Sequence, residues 1–282
     1  TAAADAVSPQ GSAWERWRRR LGPWAPVLVL VLLSIAIGIA NDRFFSFGNL
    51  SRIADAASIP LVLGLGITFI IIMGSIDLSI EGVLSFGAVV LSLLVLNGVN
   101  DNDFGLLGVV IVLAIGAGMG FVNGAIHVGL RIPSFMATLG MWFVGVGIGN
   151  AILGGIQVRV NDELIRALAL ERLFGFKYQV WVALLALAGA FVIERYTRFG
   201  RYVYMVGGNR EAAEYSGVNV KFILAAVMVI GAVCSGVGGM IGVAYFGSAQ
   251  QNQFDTYLLD AIAAVVVGGT SLFGGRGGIP NT

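Results

Sequence analysis

The sequence predicts an all-α, polytopic membrane protein of about eight spans, each near the roughly 20 apolar residues that a bilayer crossing needs. Three observations carry this. The 282 residues are 57% hydrophobic and only 12% charged, where a soluble domain carries about 25% charged residues. Mean hydropathy is +0.87. Glycine is abundant and proline scarce, 41 against 6, as suits helices that approach one another closely in lipid. The charges lie in short loops, so the net charge of +1 gives no footprint for nucleic acid. The lone cysteine, Cys234, excludes an intramolecular disulfide and reads as a small packing residue.

Residues 1–23 read as a cytoplasmic N-terminal segment. In WERWRRR (14–20) and the next residue, Trp14, Trp17 and Leu21 share one helical face opposite the arginines, the pattern of an interfacial anchor at the headgroups, with a regulatory contact as the alternative. The apolar run 24–40 has no small-x-small cleavage site after it and further spans follow, so it reads as an uncleaved first span. Later runs fall near 56–74, 79–97, 106–128, 134–153, 178–194, 222–247 and 258–273. Arg16, Arg18, Arg19 and Arg20 put the N-terminus inside. Parity returns to that side at Arg131 and again at the loop 195–221, which carries Arg195, Arg198, Arg201, Arg210 and Lys221. The loop 96–105 holds acids and no base, as an outside loop can. Segment 160–176 falls outside and reads as a surface helix, with Asn161 as cap, Asp162 and Glu163 at its positive end and Gly175 as terminator. A docking surface is the alternative there. Small-residue stripes at Gly116, Gly120 and Gly124, at Gly145 and Gly149, and at Gly231, Ser235 and Gly239 predict close helix packing.

In MGSIDLSIEG (73–82), Asp77 sits in an apolar run with only Glu81 for acidic company. A carboxylate at bilayer depth costs roughly 2.5–3.5 kcal/mol on insertion scales. Three readings stand: an N-cap for a helix starting at Leu78 or Ser79 after a Gly74–Ser75 break, a gate or path group, or a proton carrier. The last needs a basic partner or a wet cavity, and no basic residue lies in the adjacent spans, so capping leads. Segment 70–82 loosely echoes 265–277, which brings Ser271 to the place of Asp77 as a second helix-break candidate. Many transporters are built from repeats with broken helices.

Within GGNREAAEYSG (207–217), Glu211 and the pair Ala212–Ala213 can start a short helix with a low-profile face, and Gly217 supplies a sharp exit. A solvated loop is the alternative. This string resembles the coupling loop of ABC-importer permeases. The stretches MGSIDLSIEGVLSFGA (73–88), LRIPSFMATLGMWFVGVGI (130–148), GRYVYMVGGNREAAEYSGVNV (200–220) and LDAIAAVVVGGTSLFGGRGGI (259–279) follow in the order of the monosaccharide permease family of ribose, xylose, galactose and arabinose importers. From about residue 24 the chain is similar to that family, whose helical spans need roughly 20 residues each.

The resemblance implies that residues 24–279 form the transmembrane permease domain of an ATP-driven ABC importer in a bacterial inner membrane. Such a subunit passes a monosaccharide from a periplasmic binding protein into the cytoplasm. Cytoplasmic ATP-binding cassette subunits would dock on Glu211, Ala212, Ala213 and Gly217, and a second permease subunit, identical or related, would complete the channel. ATP-Mg would belong to the partner ATPase, with no cofactor, metal or catalytic group on this chain. In keeping with that, it has no GxxxxGK[ST] loop, no metal-ligand cluster and one histidine, His127, which reads as interfacial. Asn123, Thr138, Trp142 and Asn150 are candidates for a sugar path, because amides bond hydroxyls and aromatic rings stack on sugar faces. Interhelical bonding or interfacial anchoring is the alternative for each. The alternatives in function are a permease for a nucleoside or branched-chain amino acid, and a proton-coupled secondary transporter using Asp77. Family members continue past the GGxG stretch to about ten spans of the roughly 20-residue kind, so the resemblance implies C-terminal spans missing from this chain.

Overall fold

A computed structural model describes residues 25–282. The interfacial reading of Trp14, Trp17 and Leu21 lies outside the described residues. The chain divides into a unit ending at Ser46 and a second unit running from Phe47 to Thr282. In the first, α1 (Ala25–Ala40) is a 16-residue helix of aliphatic residues with a single serine, apolar on every side as a lipid-facing helix is.

The second unit is a helical bundle. Among the described residues, five helices are long and apolar enough to cross a membrane: α2 (Phe47–Ile72), α4 (Leu106–Gly129), α5 (Ser134–Leu153), α7 (Tyr178–Tyr196) and α10 (Val220–Phe246). Three apolar helices are shorter, namely α1, α3 (Ile80–Leu94) and α11 (Tyr257–Val267). The eight expected runs are therefore all helical, but two stop early. Helix α3 ends before Asn97, whose side chain takes the Val95 carbonyl at 2.8 Å and caps the N–H of Val99 at 2.8 Å. Helix α11 ends where Gly269 turns into the left-handed region at φ +102°. Conversely, α2 starts nine residues earlier than the apolar run, because its polar first turns are buried with partners. Asp55 pairs with Lys177 at 3.4 Å, and Ser51 Oγ donates to the Gly175 carbonyl at 3.1 Å.

Helix α10 is the hub, packed against α2, α3 and α4. The small-residue stripes lie in these contacts. A Cβ at Gly120 would stand 2.6 Å from the Met228 carbonyl of α10, and one at Gly239 would stand 2.7 Å from the Leu84 carbonyl of α3. Gly82 of α3 and Gly145 of α5 mark a second crossing, with Trp142 Cα only 2.7 Å from a Cβ placed at Gly82.

At the end where α5 closes and α7 opens, α6 (Glu163–Leu170) lies against the C-terminal part of α10, where Arg166 donates to the Ala244 carbonyl at 3.2 Å. Its cap is Asp162, which accepts from the Ile165 N–H at 2.9 Å, and not Asn161. Asn161 instead spends its N–H on the Leu96 carbonyl. Gly175 does not end this helix. With Phe174 it forms a two-residue turn, φ +51° and +86°, between β2 (Arg172–Leu173) and β3 (Phe176–Lys177), the geometry that a tight hairpin requires. Strand β1 (Val158–Arg159) pairs antiparallel with β4 (Ser248–Ala249). At the opposite end, α8 (Arg198–Gly208) and α9 (Arg210–Tyr215) fill most of the 195–221 loop.

Candidate functional site

Two helices of the bundle stop in the same way. Gly74, at φ +67°, ends α2: its N–H meets the Ile71 carbonyl at 2.8 Å, and the Ser75 N–H reaches back to Ile70 at 3.1 Å. After α11, the Gly269 N–H meets Val266 at 3.0 Å and the Thr270 N–H meets Val265 at 3.2 Å. Both are Schellman motifs, in which a residue free of Cβ strain satisfies the last carbonyls. The echo between 70–82 and 265–277 is thus a repeat of structure, in ungapped register. That register sets Thr270 against Ser75 and Leu272 against Asp77, so Ser271 matches Ile76 and not Asp77. Ser271 also caps no helix. Its hydroxyl holds the Phe273 N–H at 3.3 Å within a turn, and no helix restarts before the 3₁₀ turn Ile279–Asn281.

After the first break the chain runs extended to α3. Asp77 is buried, and its Oδ1 accepts both the N–H of Ser79, at 2.7 Å, and its hydroxyl, at 2.6 Å. The helix starts at Ile80 with Ser79 at its N-cap position and no side-chain cap bond, so Asp77 is not the helix cap: it closes a side-chain turn onto Ser79, just outside the helix. The Leu78 N–H is taken by Thr138 Oγ1 at 3.0 Å, and the Ile76 N–H by Ser134 Oγ at 3.1 Å. Asn123 Nδ2 donates to Ser79 Oγ at 2.8 Å. Asp77, Ser79, Asn123 and Thr138 thus form one buried network around the break, supplied by the break itself, α4 and α5. Among the described residues, Asp77 Oδ2 and Asn123 Oδ1 are buried without a partner. Asp77 and Glu81 sit at the N-terminal end of α3, and among the described residues no basic group pairs with either.

A cavity of about 160 Å³ lies between the two breaks, lined by Ile67, Ile70, Ile71, Ile76, Asp77, Ile262 and Leu272. Of the residues singled out as path candidates, Thr138 and Asn123 are committed to the break, and Trp142 packs one turn further along α5 against Gly82. Asn150 is not brought to this site. It lies near the far end of α5, where its carbonyl accepts the Gly154 N–H.

The α8–α9 segment rests on both breaks. A Cβ at Gly207 would run into the Ile72 carbonyl, which already accepts the Gly275 N–H at 2.7 Å. Arg210 Nη2 reaches the Met73 carbonyl at 3.3 Å and Ser75 Oγ at 3.4 Å. Tyr204 donates to Glu194 and lies 2.8 Å from the Gly277 carbonyl, while Glu194 accepts the Ile279 N–H at 3.1 Å. Burial, together with the bond to Glu194, pushes the Tyr204 phenol up, so it remains a donor. Helix α9 itself is capped by Asn209, which accepts the Ala212 N–H at 3.0 Å, and it exits through Gly217 at φ +80° in a third Schellman motif. Ala213 is buried, Glu211 and Ala212 face outward, and Tyr215 is 92% exposed.

Asn209, Arg210, Tyr215 and Glu194 were not legible as site residues. Asn209 stands two places before the acid-alanine string as an N-cap should, and this was the one available signal. Arg210 and Glu194 depend on elements far apart in sequence, and the exposure of Tyr215 depends on how α9 is seated.

The profile of a family described as "Branched-chain amino acid transport system / permease component" matches residues 49–276. The chain is 35% identical over 261 residues to the ribose import permease protein RbsC of Escherichia coli K12, covering 91% of this chain and 79% of that protein. It is 35% identical over 267 residues to the galactose/methyl galactoside import permease protein MglC of the same organism, covering 89% and 79%. With the D-allose transport system permease protein AlsC, identity is 30% over 271 residues, covering 89% and 76%. No solved structure matches the chain.

Proposed function

The chain belongs to the branched-chain amino acid transport permease family, and on that premise we propose that it is the multi-pass membrane subunit of an ATP-driven importer that carries a monosaccharide inward. It is a transport subunit and not an enzyme, with ATP hydrolysis residing in separate subunits. The sugar reading is supported by the relatives' names, which are those of ribose, galactose and allose permeases, although the family's own description is broader. A binding protein on the outer side of a bacterial inner membrane delivers the solute, and a second permease subunit completes the channel.

The observation that carries the mechanism is the seat of α8 and α9 on both helix breaks. A short capped helix with an exposed tyrosine is suited to insert into a partner, because exposed aromatic residues are frequent interface anchors. In this reading α9, through Glu211, Ala212 and Tyr215, docks on the ATPase with the N-terminus of the chain on the same side. Gly207 and Arg210 pass its displacement to the main-chain carbonyls at Ile72 and Met73. The two breaks then change their relation across the cavity that Asp77 lines, which is where gating would act. ATP-Mg stays in the partner.

The test is reconstitution in proteoliposomes with the cognate ATPase and binding protein. Glu211→Arg and Gly217→Val are expected to lose ATPase association and ATP-driven uptake while the permease remains monodisperse on size exclusion. Normal uptake in both variants overturns the docking assignment.

A further inference from the structure

At the α9 end of the bundle a cleft of about 300 Å³ is lined by His127, Val128, Arg131, Ile132, Pro133, Arg210, Lys221 and Leu224. This is at the lower end of the size range of ligand pockets. We propose that this cleft binds a phosphate-bearing anion, in first place the headgroup of an anionic phospholipid.

Four basic side chains converge there from four places in the chain. His127 lies in the last turn of α4, Arg131 in the turn before α5, Arg210 at the start of α9 and Lys221 at the start of α10. No carboxylate among the described residues lines the cleft. Among the described residues, none of Arg131, Arg210 and Lys221 forms an ion pair, the one such pair being Lys177 with Asp55 elsewhere in the bundle. Like charges brought together without a counter-ion repel, and an anion relieves that cost. The positive end of α10 adds to the same field.

Two further observations point to a ligand. Arg131 holds a left-handed backbone at φ +56°, a conformation that costs a non-glycine residue free energy and clusters at ligand clamps. The turn is fixed by His127, whose Nδ1–H donates to the Ile132 carbonyl at 2.7 Å. That bond assigns the proton to Nδ1 and leaves Nε2, buried without a partner among the described residues, as an acceptor for a ligand hydroxyl such as that of a glycerol headgroup. The remaining walls, Val128, Ile132, Pro133 and Leu224, are apolar, as suits the glycerol and first methylenes of a lipid. Basic pockets between spanning helices at a membrane face are a recurrent form of headgroup site. Arg210 is shared with the first helix break, where Nη2 bonds the Met73 carbonyl. A guanidinium has five N–H donors, so it can keep that bond and still serve the anion. The site stands whichever solute the permease carries.

The experiment uses full-length permease, alone and in complex with its ATPase, released from nanodiscs of phosphatidylcholine containing phosphatidylglycerol and analysed by native mass spectrometry. Wild type is expected to retain phosphatidylglycerol in both forms. The double variant Arg131→Gln/Lys221→Gln is expected to bind it about tenfold more weakly or worse. Arg131→Lys/Lys221→Arg is expected to keep it if the fold is intact. Arg195→Gln/Arg198→Gln removes the same charge from the same end of the bundle outside the cleft and is expected to leave binding unchanged. Retention of glycerol 3-phosphate, but not of the lipid, on Arg131 and Lys221 would support the site with a soluble phosphate as its occupant. Equal lipid retention by wild type and Arg131→Gln/Lys221→Gln overturns the proposal, and so does equal loss in both charge-removed pairs. Loss of the lipid from wild type on adding the ATPase also overturns it, marking the cleft as a seat for an acidic side chain of that partner.

Discussion

Asp77 takes two hydrogen bonds from Ser79 on one oxygen and leaves the other unpartnered beside Gly231. One half of the carboxylate therefore fixes the turn at Ser79 that leads into α3. Asp77→Asn can preserve an oxygen at Oδ1 and put an amide where Oδ2 stands. Its expected outcome is unfolding close to wild type in a detergent thermal-shift assay, with uptake still dependent on ATP. Asp77→Ala leaves the Ser79 N–H without its acceptor and is expected to lower stability by about 1 kcal/mol. If Asp77→Asn abolishes uptake while ATPase binding is intact, the side chain does more than shape the break.

Helix against helix, the bundle depends on backbone contact at a few glycines. Gly120 and Gly118 lie two residues apart on α4. A Cβ at Gly120 would press on Met228 and Ala232 of α10, whereas one at Gly118 would meet nothing within 4 Å. Gly120→Leu is expected to cost about 1–3 kcal/mol through overpacking, and Gly118→Leu to leave stability near wild type. Thermal unfolding of the two purified variants checks this. Equal effects would mean that the small-residue stripe acts through helix propensity rather than through the α4–α10 contact. The stripes themselves were legible from spacing, since residues four apart lie on one face. Which helix each stripe faces was not legible, because that depends on which spans pack together.

For the molecule as a whole, the decisive arrangement is the stacking of the α8–α9 segment on two helix breaks that lie about two hundred residues apart in sequence. Gly207 and Gly208 offer a paired test. A methyl at Gly207 would wedge against the Ile72 carbonyl, and one at Gly208 would enter open space. Gly207→Ala is expected to keep ATP hydrolysis in the reconstituted complex and to lose most uptake per ATP, with Gly208→Ala near wild type. Equal coupling in both would remove the breaks from the transmission path.

Composition and hydrophobic run length settled the class of this protein, because a bilayer imposes one requirement on every span and the chain writes it locally. The short helix after Asn209 and its exit at Gly217 were equally local, since cap, acid, alanines and glycine all lie within nine residues. The second break was only half legible. Its glycine and the register that sets Thr270 against Ser75 and Leu272 against Asp77 lie in the sequence, but that no helix restarts after it is decided by the backbone hydrogen bonds of the turn at Ser271–Gly274. The pairing of Asp55 was not legible because its partner, Lys177, is brought to it only by the packing of α2 on α7. The meeting of Arg210 with Met73, of Gly207 with Ile72, and of Arg131, Arg210 and Lys221 at one cleft is likewise long-range. These contacts exist only once the helices are packed.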